Sequence, residues 1–333
     1  MIEFIFTIDY EIYGNGEGSL SQHIHQPMER LRTVFQKWKA PLVVFVEAAE
    51  LEIIERTGED ETSGLIRRQL RDCYEQGFEV ALHIHPQWYN ASRENGRWRL
   101  DYRDYNLCLL TKPRIREIVN RAVEYLGTSV GVSGFVPFSF RAGNWLFQPS
   151  DTAAQVLIEK GIKVDSSVFK GGLQRRVGLD YRASLKNGFF WEFDRDANRA
   201  VAGGPLVEIP TYSVMTPFWN MVTSKRVGMQ RRGASTTETT PQKLTRLLDY
   251  VRPRYPLKFD FCRMTTKELR SIMDRAVQEE ARDSSTYKPI VAIGHTKDLL
   301  DTEGIEYCLS YLSDKRIPVV TFPAAYENCK RTA

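Results

Sequence analysis

Residues 77–88 read GFEVALHIHPQW. A glycine opens the stretch, an apolar run follows, and two histidines one residue apart close the run just before a proline. A nearly continuous apolar run is the signature of a parallel strand covered on both faces, not of a half-exposed antiparallel one. Residues i and i+2 of a strand share a face, so His83 and His85 aim at one point. The chain has only five histidines, and two stand at this strand end. Taken alone, an HxH here has two readings, structural side chains or metal ligands, and both are open.

Working outward, the same kind of run recurs. IEFIFTID (2–9), PLVVFVE (41–47), FEVALHIH (78–85), FSFRAG (138–143), IKVDSSV (162–168), LVEIPT (206–211), PIVAIGH (289–295) and PVVTF (318–322) read as strands. Helical spacing or caps mark 24–38, 64–75, 111–127, 151–160, 265–281 and 302–313. The stretch 111–127 carries a Thr cap, an early Pro and a terminal Gly. Strands alternating with helices predict an α/β fold, a distorted or incomplete (β/α) barrel of about seven to eight parallel strands. An open doubly wound sheet is the alternative. No GxGxxG follows the first strand, so a dinucleotide site has no support. Two stretches break the alternation. Residues 170–204 contain FFWEF (189–193) and read as a hairpin or long loop. Residues 222–241 are polar and basic without periodicity, and read as a solvated loop or as a lid near an anionic substrate.

Composition narrows the function classes. Hydrophobic content of 42%, charged content of 26% and a net charge of +4 describe an ordinary globular chain. Such a charge argues for no nucleic acid and no anionic membrane surface. The five cysteines are scattered without a CxxC, which disfavours a thiolate zinc site or a disulfide framework. The opening residues lack a basic n-region, and no apolar stretch approaches the length of a membrane span. The expectation is a cytoplasmic protein without a membrane span.

Polar residues gather at the C-terminal ends of the predicted strands. Asp9 and Glu11 end the first, His83 and His85 the third, Arg141 the fourth; Asp165 lies in the fifth, and His295 ends the seventh. In a parallel barrel those ends form one rim, where active sites lie. Each residue alone has an ordinary structural reading, as a cap, a turn or a buried ion pair. Their shared topological end argues for one site. Two histidines and a carboxylate suit Zn²⁺ or a similar divalent ion with a position left open for water.

The ordered set FTIDYE (6–11), GFEVALHIHPQW (77–88), FRAGNW (140–145), VDSSVF (164–169) and AIGHTKD (292–298) resembles the five motifs of the polysaccharide deacetylase family, the NodB-homology, carbohydrate esterase 4-like fold. The resemblance spans nearly the whole chain. It implies a single catalytic domain over 1–333, with insertions near 170–204 and 222–241, and a metal-dependent carbohydrate deacetylase acting on C–N bonds. It implies Asp9 as general base, His83 as metal ligand, and Arg141 as the residue orienting the base. It implies Asp165 as the acid tuning the catalytic histidine, and His295 as that histidine. The chain departs from the family at three places. Tyr10 stands where the family has a second, ligating Asp, with Glu11 the nearest substitute. Gln87 stands where the family has its second metal histidine, so His85 is the expected ligand and Gln87 the alternative. RAGNW lacks the family's Pro-Tyr, leaving the backbone N–H of Asn144 as the candidate oxyanion donor. Trp88 and Trp145 are candidates for stacking on a sugar. The substrate so implied is an acetylated sugar of surface-polysaccharide or lipopolysaccharide metabolism. The alternatives are a metal-dependent hydrolase of a non-sugar C–N bond and a non-catalytic carbohydrate-binding protein.

Overall fold

A computed structural model describes residues 1–58, 60–223, 225–226 and 252–332. Most of the 222–241 stretch therefore lies outside the described residues. Ten strands carry the architecture: β1 (Ile2–Tyr10), β2 (Val43–Glu47), β3 (Glu79–Ile84), β4 (Ser139–Ala142), β5 (Val164–Asp165), β6 (Trp191–Phe193), β7 (Leu206–Glu208), β8 (Ser213–Thr216), β9 (Tyr255–Lys258) and β10 (Lys288–His295). Eight form one curled sheet in the order β6-β7-β5-β4-β3-β2-β1-β10, parallel except for the β6–β7 pair. Every residue of β1 and β2 is buried, as continuous apolar runs between two covered faces require.

The barrel is closed by bridges, not by a full ladder. Between β7 and β10, Thr211 bridges to Val291 and Asp260 to Ile293. The Tyr212 N–H donates to the Val291 carbonyl at 3.0 Å, and the Phe261 N–H to the Ile293 carbonyl at 2.9 Å. This is the incomplete (β/α) barrel expected from the strand pattern. Helices α1 (Gln26–Lys37), α2 (Ala48–Thr57), α3 (Ser63–Glu75), α4 (Lys112–Val130), α5 (Asp151–Glu159), α6 (Thr266–Arg282), α7 (Glu303–Asp314) and α8 (Phe322–Thr332) surround it. Thr265 caps α6 in a capping box with Glu268.

Three local expectations are corrected. PVVTF (318–322) is not a barrel strand: Val319 makes one bridge to Phe4, and Phe322 already opens α8. The eighth strand is instead β6, from FFWEF, and it runs antiparallel. Helix α4 runs through Gly127 and stops at Gly131, whose φ of +75° suits a left-handed cap. Gly127 is tolerated because helical backbone costs glycine only entropy. Among the described residues no helix is long and apolar enough to cross a membrane.

Candidate metal centre and catalytic cleft

Strand alternation decides which residues of FTIDYE face the barrel interior. Thr7, Asp9 and Glu11 share one face of β1 and its end. Tyr10 points to the other, where its hydroxyl donates to Gln69 Oε1 at 2.6 Å in the helical layer. Glu11 thus occupies the place that Tyr10 vacates. On β3, His83 and His85 face the same way, and the three side chains converge. Glu11 Oε2 lies 3.6 Å from His83 Nε2 and 3.0 Å from His85 Nε2. All three are buried.

These donors fit a divalent ion. Ligands at ordinary Zn–N and Zn–O lengths in a tetrahedron stand about 3.3 Å apart, close to both separations. The ring orientations also fit. His83 Nδ1 donates to the Arg141 carbonyl at 2.8 Å, which leaves Nε2 free toward Glu11. His85 Nδ1 lies 3.2 Å from the Asn144 amide and 3.4 Å from the Gln87 amide. Gln87 Oε1 is a buried acceptor without a partner. Turning that amide over supplies the acceptor a ligating His85 needs at Nδ1 and satisfies the orphan. Gln87 therefore sits behind His85, away from the three converging donors, and the geometry favours His85 over Gln87 as ligand. Lys297 holds the other Glu11 oxygen at 2.7 Å, so Glu11 presents a single one.

Electrostatics agree. Burial alone would raise the Glu11 carboxyl, but Lys297 and the two histidines outweigh it and hold it well below the usual carboxylate range. Burial pulls His83 down, yet Asp9 and Glu11 reverse the balance and raise it. His85 stays lowered by burial, with His83 and Lys297 adding to that.

Beside this triad, Arg141 crosses the barrel interior almost wholly buried. Its Nη1 donates to Asp9 Oδ1 at 2.6 Å and to Thr7 Oγ1 at 3.0 Å, and its Nε to the Ser166 carbonyl at 3.1 Å. Burial opposes ionisation of Asp9, but Arg141 and the nearby histidines win and lower its pKa. The second Asp9 oxygen lies 3.4 Å from His295 Nε2. Burial lowers His295, with Asp9 and Asp298 partly offsetting it.

Asp165 is corrected. It stands beside Ser167, whose hydroxyl donates to Oδ1 at 2.6 Å, and opposite Glu208, its neighbour in the β5–β7 register. The carboxylate that faces His295 Nδ1 is Asp298, at 3.8 Å. Asp165 ends β5, where its register partner is Glu208 of β7, while His295 ends β10 and is followed within one turn by Asp298. Trp88 is corrected too. It is fully buried, with its ring against Trp98 at 5.3 Å, because the turn Pro86–Asn90 carries it beneath the hairpin 92–99. Asn144 and Trp145 do line the cleft, in a turn where both take positive φ, 55° and 64°. Gly143 permits this turn, since a Cβ there would stand 2.6 Å from the Ile84 carbonyl and 2.8 Å from the His85 ring.

The cleft encloses 380 Å³ and is lined by Asp9, Glu11, His83, His85 and His295 together with groups the sequence reading missed. Lys297 lines the cleft and Asp298 stands beside His295; both follow that histidine directly in the sequence. Lys258 and Asp260 form an i,i+2 pair in PLKFDF (256–261), the spacing that revealed the other pairs. Glu47 and Glu50 lie behind the triad, where Glu47 accepts the His85 N–H at 2.6 Å and Glu50 the Ile12 N–H at 2.7 Å.

No protein-family model and no curated protein sequence matches this chain. Solved structures do match, across its whole length. A protein of Mycobacterium smegmatis assigned as a polysaccharide deacetylase is 16% identical, with 99% of this chain and 90% of that one covered and a TM-score of 0.55. One from Pseudomonas aeruginosa PAO1, with the same assignment, is 13% identical over 99% and 91%, at 0.54. Puue allantoinase is 12% identical over 99% and 91%, at 0.55. The fold is therefore that of polysaccharide deacetylases and of an allantoinase.

Proposed function

We propose that the chain is a metal-dependent hydrolase that removes an acetyl group from a sugar. The reading rests on one observation: a His₂Glu donor set opens onto the same cleft as an Arg-held carboxylate in contact with a histidine. Glu11, His83 and His85 would hold the ion. A divalent ion, Zn²⁺ by the character of this donor set, would supply Lewis acidity to the acyl carbonyl and to a water.

The chain's own residues do the proton work. Asp9, held ionised by Arg141, accepts the proton of the attacking water. Across the 3.4 Å contact that proton passes from Asp9 to His295 Nε2. His295 begins neutral, because burial lowers its pKa, and so is ready to receive it. His295 then protonates the departing amine nitrogen as the C–N bond breaks. The Asn144 N–H would hold the carbonyl oxygen as it becomes an oxyanion. Trp145 would form a wall for the sugar ring. Glu47 and Glu50 position the backbone on which His85 and Glu11 stand.

A second reading, hydrolysis of a C–N bond in a non-sugar amide, is favoured by the likeness to the allantoinase, equal to that of the deacetylases. Purified protein should contain about one divalent ion and release acetate from N-acetylated amino sugars. Metal without acetate release, but with opening of cyclic amides, would favour the second reading. Absence of metal at physiological zinc concentrations would overturn both.

A further inference from the structure

The charges lining the cleft are unequal in their commitments. Lys297 is bound to Glu11 at 2.7 Å. Arg263 is bound to Asp298 at 2.6 Å. Arg226 is bound to Glu268 and to the Asn220 carbonyl. Lys258 differs. Among the described residues no carboxylate lies within 4.0 Å of its ammonium, and no hydrogen bond is made by it. Its Nζ stands 4.1 Å above the Trp145 ring and 4.7 Å from the Phe169 ring. Asp260, two residues on, is turned to the Cys262 and Arg263 N–H groups, at 3.1 and 3.0 Å.

An ammonium held against two aromatic faces and half-buried in a cleft lining is incompletely hydrated, and cation–π attraction offsets only part of that loss. Burial lowers its pKa to about 8, helped by Arg263 and Arg141 and opposed by Asp260 and Asp9. The position is nonetheless built. Lys258 ends β9, which is paired with β8. Trp145 beneath it is held in a left-handed backbone conformation that a bulky residue rarely adopts. Strain of this kind is found where a side chain must stand in one place.

We infer that Lys258 is the receptor for an anionic substituent on the substrate, a carboxylate or a phosphate carried by the acetamido sugar next to the acetyl group. This rests on the reading of the cleft as a deacetylase site and narrows it. An anion at Nζ completes the one uncommitted cation of the described lining, while Trp145 supports the sugar ring beside it. A neutral sugar would leave the half-buried ammonium with no carboxylate within 4.0 Å among the described residues.

Calorimetric titration of the purified protein with glucuronate, glucose 6-phosphate and glucose tests this without requiring turnover. At least one anion should bind well ahead of glucose, and which one binds separates carboxylate from phosphate. Lys258→Met keeps the aliphatic packing and should weaken anion binding by about 10–100-fold, the ordinary worth of a charge-assisted hydrogen bond. Lys258→Arg should restore most of it. Failure of both anions to outbind glucose, or equal anion affinity in wild type and Lys258→Met with an unchanged unfolding curve, overturns the inference. The two readings fail separately. Lys258-dependent anion binding without acetate release from any sugar would leave this site standing and remove the deacetylase. Acetate release from neutral N-acetylglucosamine as fast as from its uronate and 6-phosphate, with the same ratio in Lys258→Met, would do the reverse.

Discussion

Two buried carboxylate groups stand at strand ends of the same sheet and behave in opposite ways. Glu11, just past β1, is surrounded by Lys297, His83 and His85, and these groups hold it ionised against the cost of burial. Asp165, at the end of β5, meets another carboxyl, Glu208. Burial raises both, and their mutual repulsion pushes Glu208 well above the usual range. Among the described residues Asp165 Oδ2 and Glu208 Oε2 accept no hydrogen bond, as one shared proton between two carboxyls would explain. The first group opens onto the cleft; the second does not line it. A carboxylate at a rim is a ligand candidate when cations keep it charged. The same residue type paired with its own kind is a neutral strut between strands.

The widest separation between the two groups should appear in metal content. His83→Ala or Glu11→Gln removes one of three donors, and elemental analysis should then find metal at background. Asp165→Asn should retain the full complement. Gln87→Ala, which removes only a partner of His85, should cost about 10–100-fold in affinity. If Gln87→Ala strips the metal as completely as His85→Ala, Gln87 is itself a ligand and the assignment of His85 is wrong.

Next in size is the proton relay. His295→Ala should lower kcat on an acetamide by about 10²–10⁴-fold with metal content unchanged. If neutral His295 must receive the proton, the rate falls as pH drops through its pKa. Asp298 raises that pKa, so Asp298→Asn should move the acidic limb of kcat to lower pH. A limb that moves in Asp165→Asn and stays fixed in Asp298→Asn would restore the role that the family resemblance implied for Asp165.

That exchange marks the limit of what the sequence discloses. Parallel strands, their rim and the polar cluster were legible because burial on both faces leaves continuous apolar runs, and because i,i+2 spacing fixes a shared face. The choice of Glu11 over Tyr10 follows from the same alternation. Asp165 against Asp298 was not legible. Both stand in matching motifs, and only the fold pairs Asp165 with Glu208 and sets Asp298 beside His295. Trp88 failed for a similar reason: the turn after Pro86 reverses the chain, and no spacing rule announces which side of a turn is covered. FFWEF, read as a hairpin or long loop, joins the main sheet as β6, antiparallel and three residues long, and nothing in so short a run announces the sheet it belongs to.

A third carboxyl extends the comparison to stability. Glu79, partly buried on β3, accepts from Ser139 Oγ at 2.6 Å and from the Phe322 N–H at 2.9 Å, and among the described residues no cation pairs with it. Burial raises its pKa from 4.5 to about 7. Between those values the unfolded chain ionises while the folded chain keeps its proton. Stability therefore falls as pH rises through that window and levels off above it. Glu79→Gln should remove the slope and gain at most about 3 kcal/mol over wild type at pH 8, with little difference at pH 4, as read by urea unfolding. A wild type whose stability rises between pH 5 and 7, and more steeply than Glu79→Gln, would show that this carboxyl is paired after all.

The smallest effect is expected at Glu208, and there the contrast is at its sharpest. Glu208→Gln replaces one carboxyl of the Asp165–Glu208 pair by an amide. Its oxygen can still accept the Val168 N–H that Glu208 Oε1 accepts at 3.1 Å, and its NH₂ can donate to Asp165 where a carboxylate could not. No group in the cleft loses a contact, so kcat should stay within about twofold, the range of a change remote from the reacting atoms. Stability has a definite sign. Wild type must hold an extra proton in the folded state, so it weakens as pH rises above the ordinary carboxylate range, and Glu208→Gln should weaken less. Parallel unfolding curves at pH 5 and 8, with kcat measured on the same samples, check both halves. A large loss of kcat with stability intact would place this pair in the proton path of the cleft, and the distinction between the two carboxylate groups would dissolve.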